Sequence, residues 1–190
     1  MISALDEATA ERDLAAGTLR CGCGGRLRGW GRTRPRAVRG RDGRWSRVRL
    51  RRTRCIGCRR THVVLPAAYL PRLVDHTDTV GAALLAAAQG AGYRRVAADL
   101  DRPVDTVRGW LRRFRGQSEL LRGVATRLAL SLDPRFEPER PQPTPLADAV
   151  AALGAAAASV VRRLGARSSL VWQIIVMITG GRLLSPGPGS

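Results

Sequence analysis

Residues 92–114 read GYRRVAADLDRPVDTVRGWLRRF, and this stretch decides the fold class. Tyr93, Val96, Ala97 and Leu100 stand at i, i+3, i+4, i+7, which lines one face of a helix of about two turns. Asp101-Arg102-Pro103 interrupts the pattern. Val107, Trp110, Leu111 and Phe114 resume it on a second helix, with Asp105 placed to cap. Two short helices with so short a join predict a helix-turn-helix, whose second helix enters the major groove of DNA. Small Ala97 lets the helices cross closely, and Asp101 tolerates a left-handed turn better than most residues. Upstream, a helix from about Asp78 to Gln89, with Val80, Leu84, Leu85 and Ala88 inward, completes a three-helix core.

The second helix leaves Thr106, Arg108, Gly109, Arg112, Arg113 and Arg115 outside. Arg108, Arg112 and Arg115 form a stripe opposite the apolar one, and the acids at helical pairing distance are Asp105 and Glu119. A solvated face is the plain reading of such a stripe. Its place on the reading helix favours contact with double-stranded DNA through these residues and Asp105.

The charge leads to the same partner. All 33 basic residues are Arg, against 15 acids, for a net +18. Residues 20–60 alone hold sixteen Arg and one acid, Asp42, a net +15 that far exceeds what solubility requires. This segment is the expected grip on a phosphate backbone, with Arg47, Arg49 and Arg51 as candidate contacts. It also contains both cysteine pairs. Cys55-Ile-Gly-Cys58 is a metal knuckle of common spacing, and Cys21-Gly-Cys23-Gly-Gly is its expected partner, one residue shorter than usual. Gly-rich turns and the alternation of Val48 and Leu50 between the knuckles predict a small sheet, hence a zinc ribbon with Cys21, Cys23, Cys55 and Cys58 on Zn²⁺. So small a module lacks the apolar area to fold unaided. His62 reads as a partly buried strand residue, with metal ligation the alternative, and His76 as a surface residue at a helix start.

Three segments, RCGCGGRLRGWGRTRPR (20–36), RVRLRRTRCIGCRRTHVVLP (47–66) and the helical stretch above, resemble the zinc-ribbon plus helix-turn-helix arrangement at the front of several bacterial transposases. They are closer still to a family of short proteins of high-GC Gram-positive bacteria that accompany mobile-element genes. The resemblance covers about residues 20–116; the shortened first knuckle departs from it. It implies DNA binding and no catalytic activity.

The expected organisation is mainly α with a small β ribbon: an acidic segment 1–19, the ribbon 20–66, the helix-turn-helix 67–117, a connecting helix 118–132, a Pro-rich linker 133–145, a helical hairpin 146–182 and a disordered tail 183–190. In the hairpin, Leu146, Val150, Leu153, Ala157, Val160 and Leu164 form a short heptad seam ending at Gly165. Ser168 or Ser169 caps a second helix, Leu170 to Thr179, that is apolar nearly all round and closed by Gly180-Gly181. The hairpin packs on the helix from about Glu119 to Leu132 or on a second copy in a homodimer. The apolar run 170–178 is short of the roughly 20 residues that span a bilayer. With no secretory signal in the first nineteen residues, a cytoplasmic, nucleoid-associated protein is expected.

Cutting DNA by two metals requires three converging carboxylates. Beyond Arg115 only Glu119, Asp133, Glu137, Glu139 and Asp148 remain, mostly in the linker. The expected function is therefore a non-enzymatic DNA-binding protein, a transcriptional regulator or a partner of transposition proteins. The alternatives are a transposase fragment without its catalytic domain, or an adaptor whose ribbon binds RNA or protein.

Overall fold

Leu27, Thr53, Cys55 and Val64 are buried while their sequence neighbours Arg28, Arg54 and Val63 are not. That period of two builds a sheet with one covered face. In a computed structural model describing residues 2–138, 140–165 and 170–185, the chain forms two compact units that meet at His76/Thr77. Mixed α and β structure is confirmed.

In the first unit, β2 (Leu27–Arg32), β5 (Arg51–Cys55) and β6 (Thr61–Pro66) are antiparallel neighbours, and β1 (Ile2–Ala4) adds to β6 in parallel, in the order β1-β6-β5-β2. The run expected to alternate through Val48 and Leu50 is divided between two sheets. β4 (Trp45–Val48) pairs with β3 (Arg36–Arg39) as a separate hairpin, and Leu50 is buried in the connection to β5. The first nineteen residues are not a segment apart. After β1, Asp6 caps helix α1 (Glu7–Ala15) by accepting the Thr9 N–H at 2.6 Å, and Leu14 of α1 packs with Ile2 and Leu19 over Cys21, Leu27 and Cys55. The ribbon boundary expected at residue 66 also moves. Ala67 and Leu70 are buried, Arg39 N–H donates to the Val74 carbonyl, and His76 N–H donates to that of Arg39. His76 stacks edge-on to Tyr69, so it is a packed residue rather than a plain surface one.

The second unit is helical. α2 (Thr77–Ala88), α3 (Tyr93–Asp99) and α4 (Val104–Arg115) pack on one another, burying Val80, Leu84, Val96, Ala97, Val107, Trp110, Leu111 and Phe114. Leu85, expected inward, is exposed, although Gly81, one turn before it on the same face of α2, lies against Trp172. Helix α3 ends in a Schellman motif: Asp101 has φ +51, its N–H donates to the Ala98 carbonyl, and the Arg102 N–H donates to that of Ala97. The left-handed Asp101 is the conformation its position implied. Asp105 does not cap α4. The N-cap position falls to Pro103, and Asp105 lies within the first turn, paired with Arg108 at 2.9 Å.

α5 (Ser118–Leu132) has the bounds expected of the connecting helix. The proline-rich stretch then leads to α6 (Pro145–Leu164), where Thr144 accepts the Ala147 N–H and Pro145 opens the helix. That stretch joins two helices of one unit instead of separating modules, since α6 packs along α5 and also on α2 and α7 (Val171–Ile178). The heptad seam is buried at Leu146, Val150, Leu153 and Ala157 but ends with Leu164 exposed, and Gly165 closes the helix at φ +65. Ser168 and Ser169 lie outside the described residues. Leu183 and Leu184, expected in the disordered tail, are buried, and the Leu183 carbonyl accepts from the buried Gln117 amide; residues 186–190 lie outside the described residues. One helix among the described residues, α6, has the length and composition of a membrane span, with mean hydropathy 1.3; it packs against α5, α2, α7 and α4.

Candidate metal centre and basic surfaces

The two knuckles meet because of sheet register. Leu27 pairs with Cys55, which sets the start of β2 against the end of β5, and the Ile56 N–H donates to the Arg26 carbonyl to tie the loops together. In the first loop Cys21 N–H donates to Gly25 and Gly24 N–H to Cys21. Two glycines allow the short spacing. Gly24 takes φ +82, and a Cβ on Gly25 would stand 2.6 Å from Cys55 Sγ and 3.3 Å from Cys23 Sγ. In the second loop Cys55 N–H donates to the Arg60 carbonyl, and Arg59 adopts φ +63 with its own carbonyl accepting from Arg54.

All four sulfurs lie within 4.8 Å of one another, with Cys21–Cys58 at 3.5 Å and Cys23–Cys55 at 3.6 Å. A Zn–S bond of about 2.3 Å gives a tetrahedron with edges of roughly 3.8 Å, so the donor set fits a tetrahedral ion. The proton equilibria fit one too. The Gly25 backbone N–H, helped by the neighbouring thiols, lowers the Cys23 pKa to about 6. Cys58 has a donor in the Arg60 backbone N–H, yet the crowd of Cys23, Cys21 and Cys55 carries it up to about 11. Four thiolates cannot share this volume without a cation to offset their charge. Cys21 and Cys55 are buried and Cys23 and Cys58 exposed, which places a bound ion at the surface end of a small core. His62 stands outside the set, its Nε2 3.3 Å from Cys21 Sγ. Burial holds its pKa below the ordinary value, so the neutral ring is available to hydrogen-bond the sulfur rather than replace it.

The candidate ribbon contacts part company. Arg47 and Arg49 are exposed, but Arg51 is 3.1 Å from Glu11 of α1, and Glu7 and Glu11 likewise engage Arg32. These pairs join residues distant in the sequence, so charge counting could not find them. On α4, Asp105, Arg108, Arg112, Arg113 and Arg115 are exposed and Thr106 and Gly109 half-buried, so the expected outer face is open. Sequence reading missed Arg102, which is 6% exposed and donates to the Leu100 and Asp101 carbonyls at the end of α3. It also passed over Trp30 and Trp45, both exposed among arginines.

Among known proteins, residues 21–110 match the family model of a domain of unknown function, DUF6431. The match runs from the first cysteine ligand candidate to Trp110 on α4, and so takes in the four clustered cysteines, α3 and the first part of α4. Comparison with curated proteins and with solved structures finds no match.

Proposed function

We propose that the protein is a non-enzymatic, sequence-specific DNA-binding protein, in which α3 and α4 act as a helix-turn-helix and a Zn²⁺-bound ribbon supplies charge along the phosphate backbone. The observation that carries this reading is the two-sided α4: Val107, Trp110, Leu111 and Phe114 are fully buried, while Arg108, Arg112 and Arg115 stand in solvent. The left-handed Asp101 and the closeness of α3 and α4 support it, and so does the resemblance to the front of bacterial transposases. Gly109 adds to it. It sits mid-helix with open space where a Cβ would go, so no internal packing accounts for a residue that weakens the helix. A close backbone approach to a duplex does account for it. Regulation of transcription and assistance to transposition are equally served by this arrangement.

Selection of bound sequences from a random duplex library with the full chain is the test. A recovered motif that Arg112→Ala relaxes by about 1–3 kcal/mol supports the reading. Bound sequences no different from the input would remove the sequence-specific part. Engaging six phosphates would give a log affinity against log salt slope near −5, and a slope shallower than about −2 would remove the backbone grip.

A further inference from the structure

Duplex binding leaves one feature of the basic unit without a role. Two of the four tryptophans are in solvent, Trp30 at 42% and Trp45 at 59%, in a chain with 4% aromatics. A duplex offers phosphates to arginine but keeps its base faces stacked inside, so an exposed indole gains nothing from it. Sheet register shows what surrounds Trp30. Cross-strand partners share a face, so Arg28, Arg54 and Thr61 lie together, and Arg52 and Val63 lie beside them. Trp30, two residues along from Arg28, joins this face. The guanidinium carbons of Arg54 and Arg28 stand 4.7 and 5.6 Å from its ring centroid. The opposite face carries Leu27, Thr53 and Cys55 under α1, and α1 is where Glu7 and Glu11 are found. The sheet is thus neutralised on one side, while the side around Trp30 presents arginine and an aromatic ring with no acid among the paired residues. Trp45 repeats the unit on β4, with Arg39 at 5.8 Å.

We propose that the outer face of the β2–β5–β6 sheet is a stacking platform for single-stranded DNA, with an unpaired base laid on Trp30 and its flanking phosphates held by Arg28, Arg52 and Arg54; Trp45 with Arg39 is a second stacking position. Exposed aromatics combined with a dense positive field are what sequence-tolerant single-strand binding uses, since every base has a π-face and every nucleotide a phosphate. Occupation of this face depends on neither α4 nor its arginine stripe.

The full chain, with its metal, is titrated by fluorescence anisotropy with a short thymidine oligomer, an abasic oligomer of equal length, a uridine oligomer and a duplex. The thymidine oligomer should bind more tightly than the abasic one and quench tryptophan emission. Trp30→Ala should weaken thymidine binding about 5- to 150-fold, the range lost with one stacking aromatic, while Trp30→Phe keeps most of it and duplex affinity is unchanged. Equal affinity for the abasic oligomer overturns the proposal without any variant, so a misfolded Trp30→Ala cannot shelter it. Equal loss on duplex and single strand, or no loss on either, also overturns it. Uridine bound as tightly as thymidine with the same Trp30 dependence reassigns the ligand to RNA. Failure of duplex selection with Trp30-dependent single-strand binding intact would sink the helix-turn-helix reading and leave this one standing.

Discussion

The two units of this chain solve the same problem, surviving a large positive charge, in different ways. The helical unit buries Trp110, Phe114, Leu84, Leu111, Leu153, Ile175 and Leu183 completely, while the largest side chains fully buried in the β unit are Leu70, Val38 and Val64. Burying a large apolar side chain contributes about 1.5–3 kcal/mol, so the helical unit is held by its core. The β unit carries most of the arginines on far less buried apolar surface, and its strongest cross-links are the sulfur cluster and the acids of α1. A ribbon whose four cysteines could hold a metal ion, together with a core-held helical bundle, lets one chain combine a densely charged surface with a stable helical scaffold.

Metal removal breaks this comparison most sharply. Stripping the ion with a strong chelator should unfold the β unit, since structural zinc is worth about 10–16 kcal/mol in small domains. Hydrogen exchange should show the amides of β5 and β6 losing protection while those of α4 and α6 keep theirs. Unaltered protection in β5 and β6 after complete demetallation would mean that the β unit is held by its core as well. Trp110→Ala is the converse, expected to cost the helical unit about 3–5 kcal/mol in thermal or denaturant unfolding with metal content unchanged.

Smaller changes sharpen the picture. A Cβ on Gly81 would meet the Trp172 ring at 2.1 Å, so Gly81→Ala should destabilise the helical unit by about 1–3 kcal/mol through overpacking. Gly109→Ala meets nothing within 4 Å and should stabilise the same unit by about 1 kcal/mol. Opposite signs for two glycines on neighbouring helices, read by thermal unfolding, test whether packing rather than helix propensity governs each site. Glu11→Gln should have the smallest effect, under about 1 kcal/mol, because the Glu11–Arg51 pair is about a third exposed and screened by solvent. Its clearer readout is binding: by freeing Arg51 it should raise affinity for DNA and steepen the salt dependence. A loss of DNA affinity would show that α1 positions the basic face rather than restraining it.

What the sequence determined by itself was local. The α3–α4 pair with its buried positions, the left-handed Asp101, the bounds of α5 and the glycine that ends α6 all follow from signals that act within one or two turns: a 3.6-residue period, a cap, a residue tolerant of positive φ. The four cysteines were legible for the same reason, since each pair marks its own turn. Tertiary structure decided whatever joins residues far apart. Strand β1 finds β6 some sixty residues away, and α1 brings Glu7 and Glu11 to arginines that charge counting left free. Gly81 of α2 lies against Trp172 of α7, distant in the sequence, and Leu183 was drawn out of a nominal tail to meet Gln117. No periodicity encodes such pairings, because their free energy appears only when two surfaces, each already formed, leave water together.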